Sequence, residues 1–242
     1  MKHTLLIKDW LSSFLSLLFP RCCVVCGRPL AKGEECICTV CNINLPRTNY
    51  HLRKDNPVER LFWGQIPLER ATSFFFYEKG SDFRLILHRL KYGGQKEIGA
   101  IMGRYMAAEL LSSNFFQGID VIIPIPLHKK KQQIRGYNQS EWIARGIAAV
   151  TGIPIDTESI LRKKNTETQT RKSVFERRDN VEGIFELQHP ETLAGKHILI
   201  VDDVLTTGST TLACASCLVE VEDIRISILT LALVESVSIS VH

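Results

Sequence analysis

The sequence predicts an α/β protein, a mostly parallel sheet with flanking helices, preceded by a small cysteine-rich module. Three observations predict it. Residues 121–125 are short and wholly apolar, the pattern of a strand covered on both faces, and residues 197–201 read as another buried strand. These runs alternate with stretches of helical period, as in units that build a parallel sheet. Six of the eight cysteines crowd between residues 22 and 41.

The elements follow in order. Within residues 1–19, Leu6, Trp10, Leu11, Phe14, Leu17 and Leu18 fall near helical spacing, which predicts an amphipathic helix docked on the core. Lys8 and Asp9 interrupt the stretch and no small-residue cleavage pattern follows, so it does not read as a signal peptide. It is too short and too charged to span a bilayer, which places the protein in the cytoplasm. Residues 20–67 form the cysteine module and a polar connector broken by Pro46, Pro57 and Pro67. The α/β body takes up residues 68–242. Residues 71–77 are β-branched and aromatic, a strand. Phe83, Ile86, Leu87 and Leu90 mark a helix over 82–91, which Tyr92-Gly93-Gly94 ends in a loop. Residues 98–111 and 137–150 are helices, with strand 121–125 between them. Strand 197–201, helix 209–220 and strand 223–234 complete the chain.

Composition sets broad limits. A hydrophobic content of 45% and a charged content of 23% fit a soluble globular protein and exclude a disordered or collagen-like chain. The net charge of +4 is mild, so an argument for a polyanionic partner must rest on local charge. Residues 128–178 supply it, with twelve Lys and Arg against five acids. A solvated basic face, a phosphate-rich ligand and single-stranded nucleic acid all fit that excess. Within residues 162–180 Phe175 is the one aromatic, so stacking on bases would need residues from elsewhere.

The cysteines contain two Cys-x2-Cys pairs, Cys23 with Cys26 and Cys38 with Cys41, with eleven residues between them. Each pair can place two thiolates on one side of a tight turn, and two such turns close a tetrahedron around Zn²⁺. A reducing compartment disfavours disulfides, and redox catalysis usually shows one such pair rather than two. Cys22 and Cys36 lie close enough to exchange with a ligand, but using either breaks the two-residue spacing. Cys214 and Cys217 sit among Leu212, Ala213, Ala215 and Leu218 on a predicted helix, and read as core.

The most specific motif is Val201-Asp202-Asp203-Val204-Leu205-Thr206-Thr207-Gly208-Ser209-Thr210. It joins a buried strand to a helix, and in open α/β sheets ligands bind at the carboxyl ends of strands. Thr206 to Thr210 would offer backbone N–H groups and hydroxyls at a helix N-terminus, which is an anion site. Two carboxylates beside a bound phosphate would repel it unless they hold something else. Neutral sugar hydroxyls resolve the conflict, so a pentose 5-phosphate fits both halves, and the acids could also hold Mg²⁺. Neither Gly-x4-Gly-Lys-Ser/Thr nor Gly-x-Gly-x2-Gly is present.

Residues 201–210 resemble the ribose-phosphate loop of type I phosphoribosyltransferases. The four-cysteine module, Leu90-Lys91-Tyr92, Pro124-Ile125-Pro126-Leu127 and Arg135-Gly136-Tyr137-Asn138-Gln139 together resemble the ComF family of competence and DNA-uptake proteins. The resemblance covers nearly the whole chain. It implies a type I phosphoribosyltransferase-like domain fused to a zinc-ribbon-like module, and a phosphoribosyl pyrophosphate ligand held with Mg²⁺. It further implies a role in uptake of single-stranded DNA, with a DNA-uptake helicase or other competence proteins as partners. On this resemblance Asp202 and Asp203 fix the ribose or Mg²⁺, and Val204 to Thr210 bind the ligand with Lys91 and Arg135 to Gln139. The loop over 127–135, with Lys129, Lys130, Lys131 and Arg135, is where pyrophosphate would be held, since Arg offers a fork to phosphate and Lys a point charge. Residues 162–180 resemble the segment that covers the site. No nucleobase-recognition segment stands out, which leaves ligand binding without turnover and transfer to an unidentified acceptor both open.

Overall fold

A computed structural model of the chain describes residues 20–163 and 183–234. The predicted helix over 1–19 and most of the basic stretch 162–180 lie outside the described residues.

The elements are α1 (Thr39–Ile43), α2 (Pro57–Arg60), β1 (Leu68–Tyr77), α3 (Arg84–Tyr92), α4 (Glu97–Leu110), β2 (Val121–Pro124), α5 (Lys129–Arg135), α6 (Gln139–Thr151), β3 (Ile160–Arg162), β4 (Phe185–Leu187), β5 (His197–Leu205), α7 (Ser209–Ser216) and β6 (Arg225–Val234). The main sheet runs β1-β6-β5-β2 and every pairing in it is parallel. β3 and β4 form a separate antiparallel pair. The inner strands are β5 and β6, buried along nearly their whole length because apolar layers cover both faces, while the apolar run 121–125 becomes the edge strand β2.

One layer holds α3, α4, α6 and the cysteine module; Ile86, Leu90, Met102, Met106, Ile143 and Ile147 are fully buried in it. The other holds α7, the β3–β4 pair and the connector, with Phe62 and Cys214 at its centre. Each large side chain buried in these layers contributes roughly 1.5–3 kcal/mol. The helices α4 and α6 cross at two glycines. A Cβ on Gly146 would strike the carbonyl oxygen of Ala100, and one on Gly103 the carbonyl of Ile143. Backbone has no rotamer with which to yield, so Gly146→Ala is expected to lower unfolding free energy by about 1–3 kcal/mol despite alanine's better helix propensity. A denaturant midpoint equal to that of the unsubstituted protein would show that the crossing is looser than this.

The structure corrects two expectations. Residues 127–135 do not form a loop: Lys129–Arg135 is helical. His128 caps its start by accepting the Lys130 N–H, and Gly136, at φ 79°, ends it in the left-handed conformation that glycine adopts without strain. The stretch 46–67 is also more than a polar connector. Thr48 donates its N–H to Phe74 O and Phe76 to Pro46 O, so this segment runs along the edge of β1. Asn56 caps α2 in a capping box with Glu59, and its Nδ2 donates to Ala71 O at 2.9 Å.

Candidate ligand site and cysteine cluster

The acid pair sits near the carboxyl end of β5, where strand order places it beside β2. Pro124 pairs with Val201, and Ile125 donates its N–H to Val201 O at 2.9 Å. Asp202 accepts from the Ser140 hydroxyl at 2.9 Å and from the Asp203 N–H at 2.8 Å. Asp203 pairs with Lys91 at 3.1 Å, and both side chains are largely shielded from water. Burial, and then the charge of Asp203, push the Asp202 carboxyl up to about 7; the two hydrogen bonds and Lys91 pull the other way. A carboxylate whose charge is disfavoured in this way is poised to gain from a donor or cation that a ligand brings.

Arg135 to Gln139 form the bracket that holds the pair. Tyr137 donates its hydroxyl to Leu90 O at 2.6 Å, tying α3 to the start of α6. Asn138 accepts the Ser140 N–H and donates to Ile125 O at 3.0 Å, so it caps α6 and fixes the end of β2 together. Arg135 donates to Gln139 Oε1 at 2.8 Å, and its guanidinium lies over the Tyr92 ring, 5.5 Å from the centroid. This bracket delivers Ser140 to Asp202 and Lys91 to Asp203.

Past Leu205 the chain turns through Thr206 and Thr207, both exposed, to Gly208. Gly208 has φ 77° and the Phe62 ring packs 3.4 Å from where a Cβ would stand, so the turn admits only glycine without displacement. Thr207 and Ser209 share a hydroxyl hydrogen bond of 2.9 Å at the start of α7. The hydroxyls and helix N-terminus therefore lie together, as an anion site requires.

A cleft of about 550 Å³ opens at the end of β2, lined among others by Pro126, His128, Lys129, Asn138, Arg162 and Lys163. Arg162 lies over the Phe185 ring at 5.3 Å; burial lowers its pKa, and the charge of Asp202 opposes that. Lys129 lines this cleft while Arg135, at the other end of α5, faces Tyr92, so the helix directs the two cations apart. Sequence reasoning missed Ser140, one residue past the Arg135 to Gln139 motif; Arg162 opened the stretch read as covering the site, and only the fold brings both to Asp202.

Among the described residues one cysteine cluster could hold a metal: the Sγ atoms of Cys23, Cys26, Cys38 and Cys41 lie within 4.8 Å of one another. Four sulfurs around Zn²⁺ at about 2.3 Å stand roughly 3.8 Å apart. Cys26 and Cys38 are separated by 3.8 Å. Cys23 accepts the Cys38 N–H and Cys38 the Cys41 N–H. Burial raises the Cys23 thiol, but backbone N–H groups, Cys26 and Cys38 first, outweigh it and bring it down to about 6. Glu34 braces the loop between the pairs by accepting from the Ala31 N–H, the Thr39 N–H and the Thr39 hydroxyl. Cys22 is exposed, with its Sγ on Pro20 O, and Cys36 is buried against Met102, so neither joins the cluster. Cys214 is fully buried in the core, as its neighbours in sequence predict.

Fold and site define a phosphoribosyltransferase-type domain with a four-cysteine module packed on it. Residues 139–236 match the phosphoribosyl transferase domain family. The chain is 32% identical to the DNA utilization protein YhgH of Escherichia coli O157:H7, over 84% of this chain and 92% of that one. It is 26% identical to the competence protein ComFC of Bacillus subtilis, over 87% of this chain and 83% of that one. It is 31% identical to the competence protein F of Haemophilus influenzae, over 52% of this chain and 57% of that one. The protein belongs to the ComF family.

Proposed function

We propose that this protein binds phosphoribosyl pyrophosphate with Mg²⁺ and acts in natural competence, in the uptake and processing of single-stranded DNA in the cytoplasm. The desolvated acid pair between an anion cradle and a cationic cleft carries the first part. Ribose hydroxyls would donate to Asp202 and Asp203, and the 5-phosphate would take the turn from Thr206 to Thr210. Pyrophosphate would enter the cleft beside Lys129, Lys163 and Arg162, and Mg²⁺ would neutralise its oxygens against the acids. Val204 and Leu205 would set the backbone of that turn. Zn²⁺ would be structural, held by Cys23, Cys26, Cys38 and Cys41. The names of the relatives support the second part, as does the basic sequence of residues 128–178, where each phosphate contact would add salt-dependent affinity. Among the described residues, no helix is long and apolar enough to cross a membrane.

Calorimetric titration with phosphoribosyl pyrophosphate and Mg²⁺ tests the ligand site. Saturable binding is expected, lost in the double variant Asp202→Ala, Asp203→Ala. Absence of binding, or binding indifferent to that substitution, rejects the reading. Pyrophosphate release on adding candidate bases would identify a working phosphoribosyltransferase with a defined acceptor; binding without release on any base assigns the site to recognition alone.

A further inference from the structure

We infer that Tyr92 is a stacking platform for an unpaired base of single-stranded DNA, set at the mouth of the ligand site. The inference rests on the reading that single-stranded DNA is a partner, and supplies an aromatic contact besides Phe175, the one aromatic of residues 162–180. Tyr92 is the last residue of α3 and is 70% exposed, unusual for a large ring in a helix whose Ile86, Leu87 and Leu90 are buried. Ile134, on the neighbouring α5, is 85% exposed. Two large apolar side chains are thus held in water on adjacent helix ends.

Their surroundings select the partner. Besides Lys91, which pairs with Asp203, α3 and α5 together carry Arg84, Arg89, Lys129, Lys130, Lys131 and Arg135, and no acid. A surface of that charge suits a polyanion. A purely phosphate ligand would gain nothing from the exposed ring, whereas a nucleic-acid strand offers phosphates to the cations and a planar face to the aromatic. The ring is also preset. The Arg135 guanidinium lies over it at 5.5 Å, and the His88 ring stands 5.3 Å away at 51°. Arg135 is itself held by Gln139, and Tyr92 follows the lysine that pairs with Asp203. The side-chain entropy that stacking usually costs is therefore reduced before the strand arrives. Along α5, Lys129 lies about 9 Å from Arg135 at a helical rise of about 1.5 Å per residue, so phosphates flanking a stacked base have cations within reach.

Fluorescence anisotropy with a labelled oligothymidylate and with an abasic oligodeoxyribose phosphate of the same length tests this on the full chain. Tyr92→Ala is expected to weaken oligothymidylate binding about tenfold, the usual effect of losing one base–aromatic stack. The same substitution should leave abasic binding and the slope of affinity against salt unchanged, and Tyr92→Phe should keep full affinity. Joint replacement of Lys129, Lys130 and Lys131 by alanine should instead flatten the salt slope for both oligomers. Equal oligothymidylate affinity in Tyr92→Ala overturns the platform while leaving DNA binding intact. A Tyr92→Ala protein that loses phosphoribosyl pyrophosphate but not oligothymidylate also overturns it, and assigns the ring to the small-molecule site. Absence of any oligomer binding by the unsubstituted protein at low salt removes the DNA reading and the platform with it.

Discussion

Serine in place of Cys38 is expected to empty the cysteine cluster of zinc and to destabilise far more than the module that carries it. Cys38 is fully buried, accepts the Cys41 N–H and stands 3.8 Å from Cys26. A hydroxyl there is a poor zinc ligand, and three sulfurs leave the ion open to water. The consequence spreads because the module shares a core with the α/β body. Val24, Val25, Cys36 and Ile37 lie in the same buried cluster as Met102, Met106 and Leu110 of α4. Arg104 pairs with Glu35 and Arg47 with Glu109 across the same boundary, each at 2.5 Å. Without metal the two knuckles lose what closes them, and α4 loses its cover. The expected loss is on the order of 5 kcal/mol, below the full binding energy of structural zinc because part of the packing survives. Zinc content by plasma mass spectrometry should fall from about one ion per chain to near zero, with a marked drop in Tm. Cys22→Ser and Cys36→Ala should retain the ion, since the exposed Cys22 and the Met102-bound Cys36 stand outside the cluster. Zinc retained by Cys38→Ser, or lost from Cys22→Ser, would overturn this ligand set.

Much of the fold was legible because its strands are buried on both faces and its helices have one apolar side. β5 and β6 carry continuous apolar runs, and α3 repeats Ile86, Leu87 and Leu90 at helical spacing. The elements that were missed lack such a signal. α5 reads Lys-Lys-Lys-Gln-Gln-Ile-Arg, good helix formers with no apolar face, and its one large apolar residue, Ile134, is exposed. β3 and β4 have three residues each, too few for alternation to show. At the site, the acid pair and its turn were legible because their chemistry is local to ten residues. Ser140 was not: it is 62 residues from Asp202, and the hydrogen bond between them follows from tertiary structure alone. Lys91 was named for the ligand through the resemblance, but its pairing with Asp203, from α3 to β5, was not legible either. The motif from Arg135 to Gln139 was visible as a ligand-binding candidate; that Tyr137 bonds Leu90 O and Asn138 bonds Ile125 O, fixing α6 beside the acid pair, was not.

Asp202→Asn is expected to move stability and ligand binding in opposite directions. Asp202 has its carboxyl pushed from 3.8 up to about 7, chiefly by burial and then by Asp203. The folded state therefore holds this proton more tightly than the unfolded chain does. Its contribution to stability is present in full below about pH 4 and is lost as pH rises through about 7. Asparagine resembles the protonated acid in shape and keeps an oxygen for the Ser140 hydroxyl, but never acquires the charge. Relative to the unsubstituted protein, the variant should be nearly equally stable near pH 4 and more stable by several kcal/mol near pH 8. Thermal melts across that range measure the difference directly. Binding should go the other way, because an amide forms weaker hydrogen bonds with ribose hydroxyls than a carboxylate and gives Mg²⁺ no charge. Affinity for phosphoribosyl pyrophosphate should fall at least tenfold at pH 8, while in the unsubstituted protein it should rise with pH through about 7. A pH-stability profile unchanged by the substitution would show that the Asp202 charge is not the strained group. A flattened profile with affinity intact would make the acid pair structural. The expected combination, stability gained where binding is lost, is the mark of a carboxylate whose charge the fold disfavours and the ligand requires.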